Sequence, residues 1–281
     1  MPCALVGVCR RFLRQSLQKH TLLPRKFVLT AVIIDFFRLC CYNCHMYIYQ
    51  LLTNGGQSVS REGLLNVVGF VFALICALCL HELAHGLVAL WNGDGTAKAY
   101  GRLSLNPLRH FDFIGLLFML FAGFGWAKPV PVNPNNFKNR KLGAVTVSLA
   151  GVVTNLLLAF LFALPCVLIQ GAYAEVNSAK YYVLYCLLQY CYFMVTLNVS
   201  FALFNLLPLF PLDGYRFISC FANENNGAMT FLRRYSLYIL AALVILDYIP
   251  FISAYSPLNW YIGFCGGGIS NGFMRFWELI I

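Results

Sequence analysis

An all-α polytopic membrane protein, a bundle of about five transmembrane helices with a short β-hairpin or re-entrant segment between the second and third spans, is the fold class this chain predicts. Three observations carry it. The 281 residues are 60% hydrophobic and only 11% charged, where a soluble domain is about one quarter charged. Several apolar runs are long enough to cross a hydrocarbon layer of about 30 Å as helices. No stretch is long and polar enough to form a separate soluble domain, so the length suits one compact bundle.

The net charge is +10, and 16 of the 20 Lys and Arg lie in four stretches: 1–26, 92–112, 126–141 and 210–234. All four fall on one face if the chain threads as read below, which is the positive-inside pattern. The N-terminus is then cytoplasmic, and the basic residues meet water and anionic headgroups of the bilayer, with no role for nucleic acid. A bacterial-type cytoplasmic membrane is preferred to an organelle membrane. The 12 cysteines are spread through apolar segments and lack the spacing of a secreted disulfide framework. Cys41-Tyr-Asn-Cys44-His45 matches the haem-attachment pattern, but it sits in a hydrophobic segment without room for a haem domain.

Taken in order, residues 1–26 carry six basic residues and no acidic one, with Phe12, Leu13 and Leu17 able to dip into the bilayer. This reads as an amphipathic interfacial helix. Residues 27–52 form a first span, in which Asp35 and Arg38 sit i, i+3 and can neutralise each other. Asn54-Gly-Gly56 is the turn into a second span, 63–91, whose apolar run leads straight into His81-Glu82-Leu83-Ala84-His85. Charged residues within such a helix cost about 2.5–3.5 kcal/mol each on insertion scales, so something must compensate.

The H-E-x-x-H spacing says what that is. Residues four apart share one helix face, so both imidazoles can reach a single zinc ion. Glu82, about 100° round the helix, is poorly placed as a ligand but can reach a water held by that ion. The bland alternative is a polar patch where a helix leaves the membrane.

Residues 92–112 are a polar connection, and the rough alternation over 96–106 suggests a short hairpin or edge strand ended by Pro107. Residues 113–125 are apolar but too short to span comfortably, which suits a re-entrant or interfacial segment. Prolines 129, 131 and 134 then favour an extended strand. The third span is 142–169, where Gly143, Ala144, Ser148, Ala150 and Gly151 allow close helix approach and Asn155 is polar at depth. The fourth is 181–207, with Asn198 and Asn205 on one face. The fifth is 231–253, and 257–281 is an interfacial tail or weak last segment.

A catalytic zinc takes three protein ligands and keeps one open position. His20 and His45 precede the site and His110 belongs to a loop, whereas Asp213 stands at the end of the fourth span. Prolines 208 and 211 break that helix, and Gly214 permits a turn that can aim the carboxylate inward.

HELAH (81–85), GRLSLNPLRHFD (101–112), GWAKPVPVNPNNFKN (125–139), SLAGVVTNLLLA (148–159) and NLLPLFPLDG (205–214) together resemble the site-2 protease family of intramembrane zinc metalloproteases, in its compact form without a PDZ domain. The resemblance covers roughly residues 63–222. It implies that His81, His85 and Asp213 hold one catalytic Zn2+ and that Glu82 is the catalytic acid/base. It also implies that Asn155 lies near the reacting carbonyl and that Lys128 belongs to a loop beside the substrate entrance. Two departures concern backbone shape: Ala150-Gly-Val152 stands where the family usually has A-G-P, and Asp112-Phe113 where it usually has D-P.

The expected organisation is a basic N-terminus and first span (1–62), a metalloprotease core (63–222) and a C-terminal span with its tail (223–281). The expected enzyme is a zinc metalloendopeptidase that hydrolyses a peptide bond within or next to a transmembrane segment of a single-span or multi-span membrane protein. The alternative is a proteolytically inactive family member that binds membrane proteins, against which intact Glu82 argues. A metal transporter is disfavoured because Asp35 and Asp247 make a poor relay across the membrane.

Overall fold

The computed structural model describes residues 61–110, 112, 128–172, 178–222, 226–248 and 255–281. The expected first span, the interfacial N-terminus, the Cys41–His45 cluster and the 113–125 segment lie outside them. Eight α-helices are traced: α1 (Arg61–Trp91), α2 (Thr96–Ala99), α3 (Arg140–Gln170), α4 (Ala179–Asn205), α5 (Asp213–Ser219), α6 (Gly227–Tyr248), α7 (Pro257–Tyr261) and α8 (Gly267–Ile280). Among the described residues, four helices are long and apolar enough to cross a membrane: α1, α3, α4 and residues 227–246 of α6. The chain is a multi-pass membrane protein.

The short β-hairpin expected near 96–106 is not there, and no strand occurs among the described residues. Residues 96–99 form one helical turn, and the chain then turns through Gly101 at φ 63°. The side chains of Arg102 and Arg109 donate to the carbonyls of Arg109 and Gly101, so this loop closes on itself without a ladder. The loop packs on α1 through two residues: Ala97 is fully buried and Leu103 lies over Gly86.

Helices α1, α3 and α4 form the core. Between helices in lipid, the attraction comes from close packing more than from apolar burial, so small residues belong at the contacts. On α1 the row Gly69, Ala73, Ala77, His81, His85, Ala89 repeats every four residues, and all of it is buried. On α3 the row Gly143, Val147, Gly151, Asn155, Ala159, Ala163 does the same. Such i, i+4 rows are the ridges by which helices interlock.

Phe70, Ala73 and Leu74 of α1 pack on Phe193 and Met194 of α4, with the Phe70 and Phe193 rings edge-to-face at 5.5 Å. Ala159 of α3 packs on Val199 and Leu203 of α4, and this cluster also takes Tyr261, Cys265, Ile269 and Phe273 from the C-terminal helices. Trp277 of α8 clips onto α3 by donating its indole N–H to the Phe160 carbonyl at 2.9 Å. The expected tail is therefore helical and packed against the core, continuous from α7 through a π turn at Ile262–Gly266 into α8.

The ends of the spans have local causes. The Asn139 side chain accepts from the Leu142 N–H and starts α3, and the Ser178 hydroxyl accepts from the Tyr181 N–H and starts α4. Helix α4 stops at Asn205, short of Pro208 and Pro211, and the chain turns into α5. That turn puts Asp213 back against the core.

Candidate metal centre

His81 and His85 are two rungs of the small-residue row on α1, so their rings leave the helix on the face that meets α3. Each ring is set by the facing row. His85 Nδ1–H donates to the Val147 carbonyl at 2.7 Å. That bond puts a proton on Nδ1 and leaves Nε2 as the ring nitrogen turned to the centre, the arrangement by which metal-binding histidines are oriented. His81 lies against Gly151, where a Cβ would stand 2.3 Å from Cε1 and 2.5 Å from Nε2 of the ring. Only glycine leaves room for the imidazole there.

Asp213, at the first position of α5, completes the group. Gly214 permits this approach: a Cβ there would lie 2.3 Å from the Leu206 carbonyl oxygen and 2.5 Å from that of Leu207. The three ligand-type atoms form a near-equilateral triangle. His81 Nε2 and His85 Nε2 are 3.1 Å apart, and Asp213 Oδ2 is 3.3 Å from the first and 3.1 Å from the second. All three residues are buried.

Three electron-rich atoms this close need a cation or a proton among them. The separations match a tetrahedral zinc, whose N and O ligands at roughly 2.0–2.1 Å stand about 3.3 Å from one another. The Asp213 carboxyl is also held below the ordinary carboxylate range. Burial works to raise it, and the hydrogen bonding and charge of His81 and His85 prevail. The ionised form is the one a metal ligand needs. The donor set therefore fits one divalent ion such as zinc.

Glu82, next to His81 on the same helix, reaches the proline-rich strap at 128–137. Its Oε2 accepts the backbone N–H of Val130 at 3.0 Å. Asn155 sits one turn beyond Gly151 on the α3 row, fully buried, and neither end of its amide has a partner among the described residues. Lys128 is exposed. Its backbone N–H bonds the His110 carbonyl at 2.8 Å, and its side chain is not part of the centre. His110 is buried and bonds the Ser104 carbonyl through Nε2, apart from the other two histidines.

Val130, Val147 and Asp94 are contributors that sequence reasoning missed. The first two act through backbone atoms and leave no residue-type signature. Asp94 reads in the sequence as part of an Asn-Gly-Asp-Gly turn, yet it is fully buried.

Two curated relatives carry zinc-metalloprotease names. A Bacillus subtilis strain 168 protein named "Putative zinc metalloprotease YwhC" is 48% identical over 148 residues, which are 53% of this chain and 66% of that protein. A Mycolicibacterium smegmatis protein named "Putative zinc metalloprotease Rip2" is 28% identical over 233 residues, 76% of this chain and 84% of its own length. No solved structure matches significantly. Residues 69–246 match peptidase family M50, a stretch that holds the whole His81–His85–Asp213 group, and the chain belongs to that family.

Proposed function

We propose that this protein is an intramembrane zinc metalloendopeptidase that hydrolyses a peptide bond within or next to a transmembrane segment of a membrane-protein substrate. The observation that carries this reading is the buried triangle of His81, His85 and Asp213 with Glu82 on the same helix. His81, His85 and Asp213 hold one zinc ion. The bound metal supplies Lewis acidity, polarising the scissile carbonyl and making water acidic enough to attack near neutral pH.

Glu82 is the acid/base: with Oε2 anchored on the Val130 N–H, Oε1 takes the proton of the attacking water and returns it to the leaving amine. The orphaned amide of Asn155 offers a donor to the reacting carbonyl and an acceptor to substrate N–H. Lys128 and the strap stand beside the route by which an unwound substrate reaches the centre. A helical substrate keeps its carbonyls in backbone bonds and must open locally before any of this can act.

Residues 63–222 form the protease core, with 1–62 and 223–281 as flanking membrane segments. Lys98, Arg102, Arg109, Lys128, Lys138, Arg140, Lys141 and Arg216 all belong to the end of the bundle that holds the triangle. Positive charge at that end supports a cytoplasmic-membrane protein with its centre towards the cytoplasm. The partners are the bilayer and a spanning substrate.

The test is to quantify membrane peptides from cells carrying the wild type or Glu82→Gln, alongside metal analysis of the purified chain. A cut lost only in the variant, with one zinc per chain, is expected. Equal peptide profiles would leave a binding protein that does not cut.

A further inference from the structure

Asp94 lies just past the end of α1, nine residues beyond His85, and is 0% exposed. Among the described residues no cation pairs with it. Its carboxylate accepts instead from the Thr96 N–H and hydroxyl, from the Asn133 N–H at 2.7 Å and from the Asn136 side-chain amide at 2.8 Å. A buried carboxylate satisfied only by neutral donors is costly to keep, and bonds to a charged acceptor are about twice as strong as neutral ones. Here those bonds tie two otherwise separate segments, the α2 turn and the strap, to the end of α1.

Three main-chain N–H groups of the strap and the residue after it bond to α1 or to the residues just past its end. The Val130 N–H reaches Glu82 Oε2 at 3.0 Å, the Asn133 N–H reaches Asp94, and the Lys138 N–H reaches the Asn92 carbonyl at 2.9 Å. Val130 is flanked by Pro129 and Pro131, which have no N–H, so it carries the one main-chain donor of that tripeptide. Its side chain is buried over Gly86, where a Cβ would stand 3.3 Å from Val130 Cγ1. The Pro129–Val130–Pro131 tripeptide thus has one main-chain donor, which is delivered to Glu82 while Asn133, three residues on, fixes the strap to Asp94.

We propose that Asp94 is a positioning residue for the proteolytic reaction. It anchors the strap so that the Val130 N–H holds the Glu82 carboxylate in its working orientation. This rests on the protease reading above. A general base must be held within roughly 0.5 Å of its productive place, and misplacement by about 1 Å can cost 100-fold in rate.

The experiment uses the full-length, zinc-loaded chain in liposomes. The probe is a single-span fusion protein, chosen from a panel because the wild type cuts it and Glu82→Gln does not. Asp94→Asn removes the charge and one acceptor. Val130→Pro removes the donor at a position that Pro131 already confines to extended backbone. Each is expected to lower kcat by roughly 10–100-fold, with KM within about twofold of wild type and zinc content unchanged. The double variant is expected to be no slower than the slower single one, because both act through one bond.

Wild-type kcat in Asp94→Asn, or losses that multiply in the double variant, would overturn the proposal. Should Asp94→Asn fail to hold zinc, Asn136→Ala replaces it. That variant keeps Asp94 and cuts one of its ties, and it must show a smaller kcat loss that is again not additive with Val130→Pro; independence there also sinks the idea. A zinc-loaded wild type that cuts no panel member fails the protease reading itself, and this proposal with it.

Discussion

Gly151→Ala is the sharpest test of the site geometry, because one methyl group is set against one metal-binding ring. The added Cβ would lie 2.3, 2.5 and 2.6 Å from Cε1, Nε2 and Nδ1 of His81, whereas ordinary contact begins at 3.4 Å. The ring must therefore retreat by about 1 Å, against a tolerance of about 0.2 Å in a metal–ligand distance. Moving α3 instead does not help, because the same helix carries the Val147 carbonyl that orients His85. Both histidines are thus referred to one helix.

Folding has no reason to suffer in parallel. Alanine is better than glycine inside a helix by about 1 kcal/mol, which offsets much of the local crowding. The expected result is a folded chain whose zinc affinity falls by roughly 10–100-fold, or about 1.4–2.8 kcal/mol. Zinc retained per chain, measured by mass spectrometry after equilibration with a graded competing chelator, reads this directly. A Gly151→Ala chain that keeps wild-type zinc affinity would refute the placement of His81 against α3.

Three further outcomes follow from the same geometry. Gly214→Ala meets backbone oxygens of Leu206 and Leu207 that cannot rotate away, so it should destabilise the chain by about 3 kcal/mol and also release Asp213, seen as a lower melting temperature with zinc lost. The Asp94 carboxyl is held below its ordinary 3.8: burial works to raise it, and the Thr96, Asn133 and Asn136 bonds outweigh this. A lowered native pKa adds stability above the unfolded value of about 3.9 that is lost as pH falls through the native one, so the melting difference between wild type and Asp94→Asn should be full at pH 7 and shrink in acid below about 3.8. Trp277→Ala removes the bond to the Phe160 carbonyl and a ring contact at 5.1 Å, and should cost about 1–2 kcal/mol in thermal unfolding while sparing zinc binding.

The spans were legible because apolar length is a one-dimensional signal. The second, third and fourth expected spans begin and end within about two residues of where hydropathy and proline put them, as α1, α3 and α4. His81, Glu82 and His85 were legible because four-residue spacing needs no tertiary knowledge. Asp213 could be suspected from a proline-broken helix, but its approach to the histidines depends on how α5 folds back, which spacing does not contain. The 96–106 segment was misread because alternation by itself supplies no partner strand: here one helical turn, Gly101 at φ 63° and the Arg102 and Arg109 side chains close the chain into a loop instead. Asp94 was hidden for the opposite reason: its partners Asn133 and Asn136 are some forty residues away, so the sequence shows only a polar turn.

The depth of the histidines in α1 has a consequence for what the proposed reaction leaves behind. His81 is twenty residues on from Arg61, where the described part of α1 begins, and ten short of Trp91, where it ends, so it lies about 30 Å along the helix from the first and about 15 Å from the second. If the proposed reaction acts on a spanning segment lying parallel to α1, the cut would leave a longer apolar fragment on the Arg61 side and a shorter one on the Trp91 side, and a fragment with too few apolar residues to span would leave the bilayer. Cleavage at this depth would then work as a release catch: the position of two imidazoles along one helix would decide which half of the substrate is set free.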